Sequence, residues 1–378
     1  MNGVQIIPVT NAADKKRFVD FAWQVYADDP HWTPPLKSEV HALLTPGDNP
    51  WFEHGRAQLF LAMRDGKIVG RISAQVDDLV QDHMERGLGQ WGFFDALDGE
   101  AAAALIGAAE DWLRAQGMTK AMGPISLSIW DEPGLLIEGH DHKPAAMMGY
   151  HRPEYAAWIE AAGYGKAKDL YCYLVPTDIV YPPALQKLVE IGQKSPRIRL
   201  RSVDKSKFDE EAAIILDILN DAWSDNWGFI PLTDSEIAYA GKKLKPIIFE
   251  DLVKIAEYDG EPVAFILTIP DINELTDDLD GRLLPFGWAK FLWRLREPKV
   301  SRVRVPLMGV RKKYQGGRLS AQLAFMLIHS IQGPCRNHYG ASDGEIGWVL
   351  EDNQGMLAIA QIPGTRRNRV YRVYDKPL

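Results

Sequence analysis

The stretch RVRVPLMGVRKKYQGGRLSAQL, Arg302 to Leu323, decides the fold. Its first nine residues carry the β-branched pattern of a strand, Arg302 to Val310, and the run from Ser320 to Ile331 has the apolar spacing of an amphipathic helix. Between them lies a basic turn with two adjacent glycines. Amide N–H groups at a helix N-terminus point toward a bound phosphate, and Gly316 and Gly317 permit an approach that a side chain would block. Arg311, Lys312, Lys313 and Arg318 add positive charge to this predicted anion site.

Working outward, the chain reads as the same succession of elements twice. In the first half, Val4–Val9 is a predicted strand and Asp14–Ala27 a helix. Gln58–Met63 and Ile68–Val76 form a hairpin around Arg64-Asp65-Gly66-Lys67. Trp91–Leu97 is a strand, Gly99–Gln116 a helix closed by Gly117, Ala121–Ser128 a strand, Pro153–Ala162 a helix and Leu170–Val175 a strand. A boundary is expected in Pro176–Pro196, which contains a short helix, Ala184–Lys194. The second half then runs from strand Ile198–Val203 and helix Lys207–Trp223 to a hairpin of Asp251–Tyr258 and Pro262–Ile269. After the decisive stretch come strand Glu345–Leu350, short helix Gln354–Gln361 and strand Arg369–Tyr374. The expectation is an α+β fold of two tandem domains, residues 1–180 and 195–378, each a mixed central sheet flanked by helices.

Composition narrows the function. With 378 residues the chain exceeds one ordinary core, and 46% hydrophobic with 25% charged residues is the balance of a globular protein. A net charge of -8 argues against a chain-wide nucleic-acid footprint. Charge is nonetheless segregated: Arg282 to Arg318 holds eleven Lys or Arg against the single acid Glu297. Such a stretch suits phosphates or an anionic inner-membrane surface. The two cysteines, Cys172 and Cys335, imply no disulfide framework and no metal cluster. The first ten residues, MNGVQIIPVT, lack a signal-peptide profile, and no apolar run nears the roughly 20 residues of a membrane span. A cytoplasmic or peripheral location is expected.

The decisive turn resembles that of the GCN5-related N-acetyltransferase superfamily, whose Gln/Arg-x-x-Gly-x-Gly/Ala motif cradles the coenzyme A pyrophosphate. Set on Gln315, the motif places Arg318 where glycine is usual and Ser320 at the last small position. The equivalent turn of the first half, Leu97-Asp98-Gly99-Glu100, is acidic, so only the second domain is expected to bind the cofactor. A closer resemblance covers essentially the whole chain. Asp28-Asp29-Pro30-His31-Trp32, Asn49-Pro50-Trp51-Phe52-Glu53-His54, Gly123-Pro124 to Gly139, and Gly347-Trp348-Val349-Leu350-Glu351-Asp352-Asn353 are similar to signatures of the bacterial ceramide synthase group. That resemblance implies two such domains and transfer of a fatty acyl group from acyl-CoA to the amine of a sphingoid base or 3-ketosphinganine, with no metal. The group often carries the label dATP pyrophosphohydrolase, for which no Nudix-type Glu-x-x-Glu-Glu cluster occurs here. The alternatives are a small or aminoacyl acceptor, or a non-catalytic acyl-CoA or lipid-binding protein.

Direct acyl transfer needs a base for the amine proton and backbone donors for the oxyanion. Met308 to Val310 is the natural oxyanion position. Asn353 matches the superfamily's pantetheine-contacting asparagine, while Ala360 occupies the place of its acid tyrosine, for which Tyr371 or Tyr374 is an open substitute. Asp131 or Glu132, after a predicted strand end, and His151 are candidate bases, although acidic loops are usually only solvated and a lone histidine is usually structural. Trp130, Glu138, Tyr150 and Tyr155 flank them as candidate acceptor contacts. Glu345 and Trp348 are candidates for the acyl–amine junction. Leu283–Leu295, with Trp288 and Trp293 among cations, has the composition of an interfacial amphipathic helix and equally of a core helix with snorkelling cations.

Overall fold

A computed structural model describes residues 3–378, and the chain forms two compact units. Unit 1 comprises residues up to Leu170, Asp280–Arg282 and Arg369–Leu378; unit 2 comprises Tyr171–Leu279 and Leu283–Asn368. Met1 and Asn2 of the expected leaderless amino terminus lie outside the described residues.

Unit 1 contains β1 (Gln5–Pro8), α1 (Ala12–Val25), α2 (Lys37–Leu43), β2 (Gly55–Arg64), β3 (Lys67–Asp77), α3 (Asp78–His83), β4 (Leu88–Ala96), α4 (Gly99–Ala115), β5 (Lys120–Gly123), β6 (Leu135–Glu138) and α5 (Tyr155–Ala161). β7 (Gly165–Pro176) carries the chain into unit 2. There α6 (Pro183–Gln193), β8 (Ile198–Ser202), α7 (Phe208–Trp223), α8 (Asp234–Leu244), β9 (Val253–Tyr258), β10 (Glu261–Pro270), α9 (Ile272–Thr276), α10 (Gly287–Arg294), β11 (Arg302–Val310), α11 (Arg318–Pro334), β12 (Asp343–Leu350) and α12 (Gln354–Leu357) follow. β13 (Arg366–Pro377) returns the chain to unit 1.

In unit 1 the strand order is β1-β2-β3-β4-β5, with β13 on β5 through Tyr374–Gly123 and β6 on β13. The β4–β5 pair is parallel and its neighbours β3–β4 and β5–β13 are antiparallel. α4 is held by local chemistry: Asp98 accepts the Ala101 amide, and Ala101, Ala102, Leu105, Ile106, Ala109 and Leu113 form the stripe that it buries. Gly117, at φ +81°, lies just beyond the Gln116 C-cap, in the left-handed region that favours glycine. The expected strand Ala121–Ser128 stops at Gly123, because Pro124 brings no N–H to a ladder. The last ten residues, expected with the second domain, belong to unit 1, where Tyr371 and Tyr374 are fully buried and Arg372 clamps Asp169 at 2.7 and 3.0 Å.

Unit 2 repeats the plan, with β12-β11-β10-β9-β8 in order and β11–β12 the parallel pair. α11 buries Leu323, Leu327, Ile328 and Ile331 in a core shared with Val303, Val305 and Ile346. α8, which the sequence reading passed over, starts with a capping box between Thr233 and Glu236.

Candidate functional site

The geometry of unit 2 is set by where two parallel strands part. β11 and β12 are in register from Arg302–Asp343 to Val305–Ile346, after which β11 continues to Val310 paired with β10 alone. Arg311 donates its amide to Val263 O at 2.8 Å. Bonded positions alternate along an antiparallel edge, so Leu307 and Gly309 face β10 with their backbone groups and Met308 and Val310 face the parting. On that edge two carbonyls are taken: Trp223 Nε1 donates to Met308 O at 3.1 Å and Gln315 Nε2 to Val310 O at 2.7 Å. The N–H groups of Met308 and Val310 therefore stand as the donors of the open edge, the arrangement an oxyanion or an amide-bearing arm requires.

The turn that follows leaves backbone donors and space open. Gly316 sits at φ +74°, and a Cβ added at Gly316 or Gly317 would meet only open space. α11 has no side-chain cap; Ala321 is the first amide bonded back, to Gly317 O, and the amides of Arg318, Leu319 and Ser320 meet no acceptor among the described residues. The positive end of a 17-residue helix is thus open to solvent. The expected cations divide. Lys312 and Lys313 are in surface pairs with Asp225 and Glu261, each at 2.6 Å, and Arg311 pairs with Asp217, whereas exposed Arg318 has no ion pair among the described residues. Surface pairs of this kind contribute about 0–1 kcal/mol, so an incoming phosphate can compete for the lysines.

Unit 1 closes the corresponding features. After β5, Ile125 donates its amide to Trp91 O at 2.7 Å and Phe93 donates to Ser126 Oγ at 3.1 Å, so the chain seals the edge that stays open in unit 2. A side chain at Gly92 would collide with the backbone of Ile125. The α4 N-terminus already holds a carboxylate, Asp98, which Arg64 pairs at 2.6 Å. The acidic turn is therefore an internal substitute for an anion.

Unit 1 instead builds a polar cluster around the candidate acids. Glu132 is half-buried, and burial and the nearby Asp95 charge raise its carboxyl above the usual range, against the opposing pull of Arg71 and Ser126. Gly149 leaves the room its carboxylate occupies. His151 Nδ1 accepts the Leu136 amide at 3.1 Å, which assigns the ring proton to Nε2, 3.8 Å from Glu132. Burial, with His140 and Arg71 adding to it, pushes His151 down to about 3, so it is a neutral donor and not a base. Asp95 is saturated by Tyr26 at 2.7 Å, Tyr155 at 3.2 Å and Arg71 at 2.8 Å. Tyr155 is fully buried and anchors this network, and Tyr150 donates to Asp29 at 2.9 Å. The expected acceptor contacts Tyr150 and Tyr155 thus have internal partners.

The remaining candidates scatter. Asp131 and Trp130 are half-buried in a turn where both backbone amides bond to Ser128, and Glu138 is exposed at the end of β6. Glu345 is fully buried against Arg302 at 2.8 Å and accepts from Asn368 at 2.9 Å, so it is part of a structural ion cluster with Asp271, out of reach of an amine's proton. Trp348 is half-buried, with Arg304 over its ring at 5.6 Å. Asn353 spends its Oδ1 capping α12 at the Met356 amide, which leaves only its Nδ2 for a ligand. Tyr371 donates to Gly149 O at 2.8 Å, and Tyr374, pushed up to about 12 by burial, lies 3.3 Å from Glu160. Neither is a free acid. Sequence reasoning missed Trp223, Arg71, Asp95 and Tyr26. For Arg71 and Asp95 the signal was present, a lone charge in the interior of a strand rich in apolar residues, where a buried partner makes the residue tolerable. Among the described residues no metal-ligand cluster occurs, and no helix is long and apolar enough to cross a membrane.

No family model matches the chain. It is 44% identical over 378 residues to the bacterial ceramide synthase of Caulobacter vibrioides (strain NA1000 / CB15N), covering 99% of this chain and 98% of that one. It is 43% identical over 371 residues to Protein YghO of Escherichia coli (strain K12), covering 97% and 94%. Among solved structures it is similar to a tandem GNAT protein from the clavulanic acid biosynthesis pathway, with TM-score 0.57, 12% identity and coverage of 99% and 98%. A GCN5-related N-acetyltransferase from Sphaerobacter thermophilus gives TM-score 0.52 at 13% identity, covering 99% and 95%. With a duplicated GNAT fold and near-complete coverage by a relative of this identity, the chain belongs to the bacterial ceramide synthase family.

Proposed function

We propose that this chain is an acyl-CoA-dependent N-acyltransferase that joins a long fatty acyl group to the amine of a sphingoid base or 3-ketosphinganine. The observation that carries the reading is the uncapped α11 N-terminus beside Gly316 and Gly317, at the end of the strand edge that β12 leaves open. The pyrophosphate of coenzyme A is assigned to the amides of Gly317 to Ser320 with Arg318, and the pantetheine arm to the edge of Met308 and Val310. The acceptor amine adds to the thioester carbonyl, the oxyanion is met by a β11 amide, and the C–S bond breaks to release the coenzyme A thiolate as the amide forms. One proton leaves the amine and one is taken up by the thiolate.

The acceptor class is supported by the relative of Caulobacter, whose name is ceramide synthase. A membrane-surface role is supported by α10 and the turn before it, where Leu284 and Phe286 are each 78% exposed and Trp293 is 71% exposed, far from the core helix that the composition equally allowed. The direct test incubates the purified full-length chain with palmitoyl-CoA and either sphinganine or 3-ketosphinganine. Thiol release matched by amide in mass spectra is the expected result. Turnover of neither amine, or preference for acetyl-CoA with a small amine, defeats the reading.

A further inference from the structure

A solvent-open cleft lies in unit 2 between α7, α8 and the sheet, with an interior volume of about 80 Å³. Its wall is apolar: Phe208 and Leu216 of α7, Ile237 and Leu244 of α8, and Leu267 and Leu307 of the sheet. α8 does not fill the space itself. None of its residues is fully buried, and its apolar face of Ile237, Ala240 and Leu244 stays half-buried over the gap. A helix that short of protein to pack on leaves its apolar face for something else to cover.

The cleft begins next to the reactive edge. Leu307 immediately precedes Met308, whose amide faces the parting of β11 and β12, and a Cβ added at Gly309, on the same face as Leu307, would meet Ala222 and Trp223 of α7. The charged groups of the lining have internal partners, Asp204 with the Ser206 amide at 2.9 Å, Lys205 with Ile248 O at 2.9 Å and Glu211 with Arg201 at 2.7 Å, so the remaining wall is predominantly apolar.

We infer that this cleft holds the acyl chain of the thioester and sets the chain length the enzyme accepts. The inference rests on the acyl-CoA reading above and adds to it a measuring pocket in named residues. A tail leaving the carbonyl near Met308 passes Leu307 and Leu267 and runs between the two helices, covering the face of α8. Ala240 of α8 and Ala212 of α7 both line the cleft, and a larger side chain at either shortens it.

The test measures affinity for coenzyme A and for lauroyl-CoA, both at submicellar concentration, in the wild type, Ala240→Phe and Ala212→Leu. The wild type is expected to bind lauroyl-CoA at least about tenfold tighter than coenzyme A. Both variants are expected to keep the coenzyme A affinity, which also certifies their fold, and to bring the ratio to within about twofold of unity. In turnover, their preference shifts from palmitoyl-CoA to short thioesters while KM for sphinganine stays put. Equal wild-type affinities, an unchanged ratio in whichever variants retain coenzyme A binding, or a rise confined to the sphinganine KM overturns the assignment while leaving the transferase reading intact. No binding of either thioester carrier by the wild type removes both.

Discussion

Gly317 offers a clean way to probe the anion site, because its backbone makes no special demand. It is extended, at φ -124° and ψ 176°, so any residue can adopt its conformation, and a Cβ there meets nothing within 4 Å. Gly317→Val should therefore leave stability within about 0.5 kcal/mol, as for other surface changes. The branched side chain nevertheless stands in front of the amides of Arg318 to Ser320. Each hydrogen bond from an amide to a charged group is worth about 1.5–3 kcal/mol, so losing one raises the dissociation constant roughly 10- to 150-fold. Gly316→Ala provides the contrast: at φ +74° a Cβ costs about 1–2 kcal/mol of stability before any ligand is considered. Titration calorimetry with coenzyme A and thermal melts of both variants separate the two effects. An unchanged melt with a dissociation constant within twofold of wild type for Gly317→Val would refute the assignment of the pyrophosphate to this turn.

Three further expectations concern other parts of the chain. His151 has a folded affinity for protons far below its unfolded one, so the unfolded state binds more protons between pH 6.5 and about 3 and stability is lost as pH falls through that window, by about 1.4 kcal/mol per unit at most; urea midpoints between pH 7 and 4 should show the slope, and its persistence in His151→Gln would be evidence against this origin. Burial raises the proton affinity of the folded Glu132 carboxyl, which costs stability as pH rises, so Glu132→Gln should gain stability at pH 7 relative to pH 4 when urea midpoints are compared with wild type; a mutational difference independent of pH dismisses this origin. Replacing Phe286, Trp288 and Trp293 together by serine should abolish sedimentation with anionic vesicles and leave turnover of a short-chain, soluble amine unaffected, whereas undiminished vesicle binding places the membrane contact elsewhere.

The elements legible in the sequence are those governed by residues close together in the chain. β11 was read to the residue from its β-branched pattern, the hairpin turns at Asp65-Gly66 and Asp259-Gly260 from their residue types, and α4 from its periodic stripe and flanking glycine. The strand–glycine turn–helix layout proposed to hold the cofactor was legible for the same reason, since it is made of consecutive residues. The acidity of Leu97 to Glu100 was likewise local, and in the structure Asp98 caps α4 and pairs with Arg64.

Tertiary structure decided what depends on pairing between distant segments. Whether a parallel pair stays zipped or parts is a matter of register, so the open edge of β11 and the sealed edge of β4 could not be told apart by composition. Glu345 and Glu132 look alike as acids near a strand; one is locked against Arg302 and the other is left with a raised proton affinity, because the burial and partners that shift a carboxyl come from other parts of the chain. The same holds for β13, which local propensity identifies as a strand but which only its ladder with β5 assigns to unit 1. Propensity and capping act over a few residues, while desolvation and hydrogen-bond partnership act over whatever the fold brings within a few ångströms.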